Sequence, residues 1–265
     1  MKLQIVPART GVLWVRLGLQ TFGRQPFVLT GLFVLYVALM SLVALVPWLG
    51  AALILALLPA ATLGFMAATK AIAEGQVPRP QVLLSALRTS RQQIRAMVLL
   101  GALYTLMFLG IMGLSSLVDG GVFARYYLGN QAVTMEQLRD PAFSLAMFLA
   151  LSLNLPLSLL FWHAPALVHW HGVSPVKSLF FSLVACLRNI GAFTVFGLVW
   201  FSLLMAVGTV VAIVVAQIAG PDAVVSAMLP LGAWFTALFL TSLYFTFRDS
   251  FIATEADTAT TVGVT

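Results

Sequence analysis

Three histidines, His163, His169 and His171, are the residues of this chain best suited to metal binding or proton transfer. Imidazole is a common metal ligand and titrates near neutral pH. Their spacing, however, differs from the i, i+4 spacing that places two ligands on one face of a helix. No carboxylate lies close to them in the sequence, and the nearest one downstream is Asp222. We therefore expect structural histidines at a helix end and no bound metal. An intramembrane metal protein or enzyme centred on these residues is the remote alternative.

Other motifs that carry enzyme chemistry are missing from the sequence. It contains no G-x-S-x-G nucleophile elbow, no H-E-x-x-H zinc motif and no glycine-rich phosphate loop. The single cysteine, Cys186, excludes an internal disulfide and a multi-cysteine metal site. We therefore expect a protein that is not an enzyme and that carries no cofactor.

Charged residues are confined to short segments of the chain. No Asp, Glu, Lys or Arg lies between Arg24 and Lys70. The chain is 61% hydrophobic and only 8% charged, whereas a soluble domain carries about 25% charged residues. A helix of about 20 apolar residues crosses the bilayer core, because it satisfies its own backbone groups where water is absent. The sequence therefore predicts an all-α, polytopic membrane protein with a single integral membrane domain over residues 1–265.

Six transmembrane helices are predicted within a bundle over residues 26–247. Their ranges are 26–46, 51–69, 96–118, 141–167, 190–218 and 223–247. Asp140 is expected to cap the fourth helix, and Thr134 with Gln137 matches the capping box of a short helix before it. Residues 1–25 are a predicted cytoplasmic amphipathic segment, and 248–265 a cytoplasmic tail that is disordered at its end.

The basic residues predict the orientation of these helices. All but two of the 14 Lys and Arg residues fall on one side of the six spans. The exceptions are Arg125 and Arg139, in the loop between the third and fourth spans. Because Lys and Arg accumulate in cytoplasmic segments, both termini are expected in the cytoplasm. Arginines beside helix ends are expected to anchor these ends to anionic lipid headgroups. These arginines are Arg24, Arg91, Arg95, Arg188 and Arg248.

Three segments on the predicted cytoplasmic side are amphipathic. Their ranges are 9–24, 80–93 and 175–189. In the first, Arg9 and Arg16 share one helix face, while Trp14, Leu19 and Phe22 lie broadly opposite. Each segment either rests in the headgroup plane or extends the next transmembrane helix.

Small residues and prolines mark the second and fourth predicted spans. The small residues recur every four positions in the second span, and they are Ala52, Ala56, Ala60, Gly64 and Ala68. Small side chains let another helix approach closely, so this stripe is predicted to be a packing seam rather than a ligand groove. Pro59 and Pro156 lie inside spans, where proline removes a backbone hydrogen bond, so we predict a kink at each.

An internal repeat is predicted from two similar segments. Each has a proline within a span, a Gly-x-x-Pro turn, an amphipathic helix, an arginine and a further span. One gap-free shift aligns Gly75 with Gly172 and Pro78 with Pro175. The shift passes two spans and so preserves orientation, which makes the predicted repeat parallel.

Short motifs along the whole chain resemble a known family. The motifs are Pro7-Ala8…Gly11-Val12-Leu13-Trp14, Phe22-x-Arg24-Gln25-Pro26, Leu58-Pro59-Ala60…Gly64-Phe65-Met66 and Tyr244-x-x-x-Arg248-Asp249-x-Phe251. They look like an uncharacterised family of six-span inner-membrane proteins of beta-proteobacteria. This resemblance implies a bacterial inner-membrane location and no particular activity. The plan is more loosely similar to membrane domains fused to some glycerophosphodiester phosphodiesterases. The sequence has no catalytic domain of that kind, so no activity is carried over.

These features favour a non-enzymatic membrane component with an accessory, assembly or envelope-organising role. Its expected partners are membrane lipid with anionic headgroups and an unknown membrane protein, and not nucleic acid. The alternative is a carrier or channel for a small or lipidic molecule, with a cleft between the repeats. No charged residue lies at the centre of a predicted span, which counts against ion- or proton-coupled transport. A polar cavity that reaches mid-membrane would favour the carrier, and a dry bundle the accessory role.

Overall fold

The computed structural model describes residues 2–129 and 133–252 of the chain. In chain order the elements are β1 (Lys2–Leu3), α1 (Thr10–Arg24), α2 (Pro26–Ala44), α3 (Gly50–Ala73), a 3₁₀ helix (Pro80–Leu87), α4 (Arg91–Asp119), α5 (Val122–Gly129), α6 (Met135–Arg139), α7 (Pro141–Phe161), α8 (Ala164–His171), α9 (Pro175–Arg188), α10 (Ile190–Ala219), α11 (Asp222–Ser250) and β2 (Phe251–Ile252). Six stretches in this part of the chain are long and apolar enough to cross a bilayer: α2, α3, α4, the α7–α8 pair, α10 and α11. The predicted all-α, six-span fold is confirmed.

Two predicted helix starts are present. At the start of α7, Asp140 Oδ1 accepts a hydrogen bond from the Ala142 N–H at 2.9 Å. At the start of α6, Thr134 Oγ1 accepts from the Gln137 N–H at 3.2 Å. Gln137 Oε1 accepts from the Thr134 N–H at 3.0 Å in return, which completes the capping box. Local sequence therefore predicted these boundaries correctly, because a cap depends only on residues within one turn.

The apolar spacing of residues 80–93 predicted one continuous helix, but the structure divides this segment into two elements. A 3₁₀ helix ends at Leu87, and α4 begins at Arg91, earlier than the predicted third span. Ser90 separates the two elements, because its Oγ accepts a hydrogen bond from the Gln93 N–H at 3.3 Å and caps a new helix. The basic first turn of α4 is thus part of the membrane-spanning helix.

The last span extends beyond the predicted boundary at residue 247. Helix α11 continues through Arg248 to Ser250, and β2 then pairs antiparallel with β1, with Lys2 opposite Ile252. The remainder of the predicted tail, residues 253–265, lies outside the described residues.

The described residues form two compact units. The first unit lies within Met1–Val37, Thr62–Ser85 and Val184–Thr265, and the second comprises Ala38–Ala61 and Ala86–Leu183. In the first unit, α1 packs against both α10 and α11, which also pack against each other. In the second unit, α4 packs along α7 and also contacts α5 and α8.

Helix α1 is the predicted N-terminal amphipathic helix, and part of its apolar face is covered by protein. Trp14 and Phe22 are buried, whereas Leu19 is exposed. The Trp14 ring centroid lies 5.2 Å from that of Phe193 and 6.1 Å from that of Phe196, both on α10. Part of the face expected to contact lipid is therefore used for packing inside the first unit.

Candidate functional site

The fourth membrane span is interrupted, although the sequence predicted one helix over 141–167. Helix α7 ends at Phe161, and α8 begins at Ala164. Pro165, the second residue of α8, has no N–H to donate to the Phe161 carbonyl, and its ring crowds that carbonyl. The helix therefore stops and restarts across residues 162–163. The signal for this break was present in the sequence, but Pro165 was not weighed there.

Ser182 on α9 binds the backbone groups that the break releases. Its Oγ donates a hydrogen bond to the Leu159 carbonyl at 2.7 Å and accepts one from the His163 N–H at 2.9 Å. Ser182 and His163 are both fully buried. Because water does not reach a buried break in a membrane helix, such groups need protein partners. One hydroxyl group thus satisfies a donor and an acceptor on the two sides of the break.

The three histidines occupy different surroundings around α8. His163 is fully buried at the break, whereas His169 and His171 lie in the last turn of α8 and are partly exposed. The His169 carbonyl accepts a hydrogen bond from Gln93 Nε2 of α4 at 3.0 Å. Among the described residues, no group of three or more His, Cys, Asp or Glu side chains is placed to hold a metal ion. The structure does not bring these histidines together as one ligand set.

A cavity of about 410 Å³ lies in the second unit, where the start of α4 meets the turn from α8 to α9. Gln92 and Gln93 of α4 and the capping Ser90 before it line one side, and Gly172 and Ser174 line it from the turn. The hydrogen bond between the Gln93 amide and α8 joins the two sides. This cavity sits at the ends of spans, and sequence reasoning did not identify it because its walls are far apart in the chain.

The small-residue stripe of α3 meets different neighbours along its length. In the second unit, a Cβ added to Gly101 of α4 would fall well inside van der Waals distance of the Ala56 carbonyl oxygen. Thr105 Oγ1, one turn further along α4, lies 3.5 Å from the Ala52 carbonyl oxygen. The backbones of α3 and α4 are therefore in close contact at these small residues.

Of the rest of the stripe, Gly64 and Ala68 belong to the first unit and Ala60 to the second. A Cβ added to Gly64 would lie 2.9 Å from the Leu83 Cα of the 3₁₀ helix. Ala68 is fully buried, and Ala60 is partly exposed. Gly64 thus allows the 3₁₀ helix to approach α3.

Glycines of α1 permit a second close contact, which the sequence did not predict. A Cβ on Gly18 would lie 2.7 Å from the Ser242 Cβ of α11. A Cβ on Gly11 would fall well inside contact distance of the Ala192 carbonyl oxygen of α10. In addition, Thr241 Oγ1 donates a hydrogen bond to the Gly18 carbonyl at 3.2 Å.

Polar side chains fix the N-terminal segment within the first unit. Trp14 Nε1 donates to Asp249 Oδ2 at 3.0 Å. Asn189, which is buried between α9 and α10, accepts from the Val6 N–H at 2.8 Å and donates from Nδ2 to the Gln4 carbonyl at 3.0 Å. These contacts join residues that are far apart in the sequence, so they cannot be predicted from periodicity along the chain.

The predicted kink and turn residues have the following positions. Pro59 lies within α3 and Pro156 within α7, and neither ends its helix. Gly75 (φ 81°) and Gly172 (φ 63°) both have positive φ and follow α3 and α8 respectively. Pro175 is the first residue of α9, but beyond Pro78 the chain forms a 3₁₀ helix rather than an α-helix. The internal repeat stays a prediction.

The five arginines proposed as headgroup anchors all lie at helix ends and are exposed. They are Arg24 at the end of α1, Arg91 and Arg95 at the start of α4, Arg188 at the end of α9 and Arg248 near the end of α11. Arg248 Nε also donates to Asp249 Oδ1 at 2.8 Å.

The fold and the apolar surfaces of its helices define a multi-pass, α-helical membrane protein. No protein-family profile matches the chain, and no solved structure matches it. Over 254 residues the chain is 38% identical to the probable inner membrane protein BTH_II0599 of Burkholderia thailandensis. This alignment covers 95% of the present chain and 94% of that protein. The chain therefore belongs to the same family as this probable inner membrane protein, in agreement with the predicted membrane location.

Proposed function

We propose that this protein is a non-enzymatic inner-membrane component that acts through helix packing and through contacts with lipid or with another membrane protein. The use of polar side chains within the spans carries this proposal. Thr69 Oγ1 donates to the Phe65 carbonyl at 2.8 Å, and Asn154 Nδ2 donates to the Ala150 carbonyl at 3.3 Å. Such groups bind the backbone of their own helix, which lowers the cost of placing them in hydrocarbon. This use suits a packed bundle better than a polar path across the membrane.

Co-purification in a mild detergent tests this role. The full chain, tagged and extracted under conditions that retain lipid, is expected to keep a defined lipid class or a membrane protein through size-exclusion chromatography. Lipids and proteins in that fraction are identified by mass spectrometry. Recovery of the folded chain with neither would contradict the proposal.

We further propose that both termini lie in the cytoplasm and that the basic helix ends contact anionic headgroups. The distribution of Lys and Arg supports this orientation. A reporter that matures only in the periplasm is expected to be inactive when it is fused after Thr265 and active when it is inserted near Asn130. Both of these positions lie outside the described residues. The reverse pattern would overturn the orientation.

A carrier of a small or lipidic molecule is the second candidate, and the break in the fourth span favours it. Transporters often form binding sites at discontinuous membrane helices. Purified protein in lipid vesicles would then accelerate the movement of a labelled phospholipid between leaflets. A rate equal to that of protein-free vesicles would contradict lipid transport. The likeness to membrane domains of glycerophosphodiester phosphodiesterases stays a prediction and adds no substrate.

A further inference from the structure

The lining of the cavity between α4 and the α8–α9 turn is rich in hydrogen-bond donors. Gln92 contributes an amide and Ser174 a hydroxyl group, and both residues are exposed. Gln93 is held in place by its bond to the His169 carbonyl. The first turns of α4 and α9 also border the cavity. N–H groups of a first turn have no acceptor within their own helix, although Ser90 Oγ accepts from the Gln93 N–H and Pro175 has no N–H. The lining therefore suits a ligand with several acceptor oxygens.

Positive charge at this end of the second unit has no acidic counterpart nearby in the sequence. Arg91 and Arg95 lie beside the lining residues of α4, and Lys177 lies in the first turn of α9. No Asp or Glu occurs in residues 86–118 or 141–183. The acidic residues of the second unit lie instead at the far end of α4 (Asp119), on α6 (Glu136) and before α7 (Asp140). The local charge therefore favours an anionic ligand.

We propose that this cavity binds a phosphate group, the chemistry shared by anionic phospholipid headgroups and free phosphate. A phosphate group has several acceptor oxygens, which match the polar lining, and a negative charge, which matches the basic residues beside that lining. The cavity volume of about 410 Å³ falls in the usual range of ligand sites, about 300–1,000 Å³. The ends of membrane spans lie at the level of lipid headgroups, so a phospholipid reaches this site from the bilayer. This site proposal rests on the proposed function, because it assumes that the protein contacts lipid.

Two substitutions test the site without removing a helix start. Gln92→Glu places a carboxylate in the lining at the first turn of α4, where negative charge is favourable for a helix. Ser174→Asp places one before α9, where aspartate is a good cap. Gln20→Glu, on the exposed face of α1, makes the same change of charge in the first unit and serves as the matched control.

Binding is measured by titration calorimetry on the full-length protein in an uncharged detergent. The probes are short-chain phosphatidylglycerol, short-chain phosphatidylcholine and inorganic phosphate. We expect saturable binding of phosphatidylglycerol to the native protein and to Gln20→Glu, and binding about tenfold weaker or more for each cavity variant. Thermal unfolding of each variant establishes that it is folded.

The two sources of phosphate give different results. Competition by inorganic phosphate against phosphatidylglycerol would assign the site to phosphate itself, whereas phosphatidylglycerol binding without such competition would assign it to a lipid headgroup. Equal binding by native protein and both cavity variants, or no saturable binding of either anionic probe, would overturn the proposal. Lipid or protein retained during co-purification would still support the proposed function, so the two failures are distinguishable.

Discussion

Ser182 accepts a hydrogen bond from the His163 backbone N–H at 2.9 Å and donates one to the Leu159 carbonyl at 2.7 Å. The first of these groups lies after the break in the fourth span, and the second lies before it. A side chain on α9 therefore stabilises an interruption in a different helix. This relationship makes α9 a structural part of the fourth span as well as the element that precedes α10.

Removal of the Ser182 hydroxyl group should therefore weaken the fold. In Ser182→Ala the His163 N–H and the Leu159 carbonyl each lose their hydrogen bond to this hydroxyl group, and we expect a loss of about 1–3 kcal/mol in the free energy of unfolding. The control is Ser178→Ala on the same helix. Ser178 is equally buried, but its Oγ donates at 2.7 Å to the Pro175 carbonyl of its own helix. Unfolding by denaturing detergent, followed by circular dichroism, measures both variants. Equal losses of unfolding free energy in the two variants would show that the two hydrogen bonds of Ser182 across the break contribute little to stability.

This break shows what a sequence does and does not reveal about a membrane helix. Hydropathy predicted the span, because apolar composition over about 20 residues is enough for that. The position of the break depended on Pro165, whose effect falls four residues earlier, at Phe161. The compensating Ser182 lies on another helix, and only the three-dimensional packing identifies it. In contrast, the start of α7 was predictable because Asp140 caps it locally.

Close contact between α3 and α4 predicts opposite effects for two glycines of the same helix. A Cβ at Gly101 would collide with the Ala56 carbonyl oxygen, whereas a Cβ at Gly113 would meet nothing within 4 Å. We expect Gly101→Ala to destabilise the protein by about 1–3 kcal/mol through overpacking. Gly113→Ala should be neutral or stabilising by up to about 1 kcal/mol, because alanine is the better helix former. Thermal unfolding in detergent is the measurement. Equal stability of the two variants would mean that α3 and α4 are not in close contact at Gly101.

Docking of the N-terminal segment depends on Asn189. This side chain bonds the Val6 N–H at 2.8 Å and the Gln4 carbonyl at 3.0 Å. In Asn189→Ala both groups lose their partner, so residues 2–9 should detach more often, and trypsin should cleave after Lys2 and Arg9 several times faster. Gln20→Ala, an exposed change on α1, is the control and should be cleaved like the native protein.

The role of α1 could not have been predicted from the sequence in the same way as the spans. Its amphipathic pattern was visible, and two interpretations of it were left open, the headgroup plane and an extension of the next span. Neither includes packing against α10 and α11. The contacts of Trp14 with Asp249, and of Gly18 with Ser242, connect positions more than two hundred residues apart. Only an alignment of many relatives or a structure reveals pairs of that kind.

The turns after α3 and α8 provide the last prediction, because both place a glycine at positive φ. Gly172 has φ 63° and ψ 19°, the left-handed conformation that commonly ends a helix, and the following Val173 N–H donates to the Leu167 carbonyl at 3.2 Å. A Cβ at Gly172 or at Gly75 would meet nothing within 4 Å. The effect of a substitution at either position therefore comes from the backbone conformation alone.

We expect Gly172→Ala to lower the free energy of unfolding by about 1–2 kcal/mol, since a Cβ disfavours left-handed backbone. Gly172→Asn should lower it less, because asparagine tolerates this conformation, and Gly172→Val should lower it more. Gly197→Ala on α10 is the control, with equal space around its Cβ and ordinary helical backbone. If the predicted repeat holds, Gly75→Ala should match Gly172→Ala within a few tenths of a kcal/mol. Thermal unfolding of the purified variants decides this. If the loss of unfolding free energy does not increase from Gly172→Asn to Gly172→Ala to Gly172→Val, the result would argue against a left-handed turn at this position.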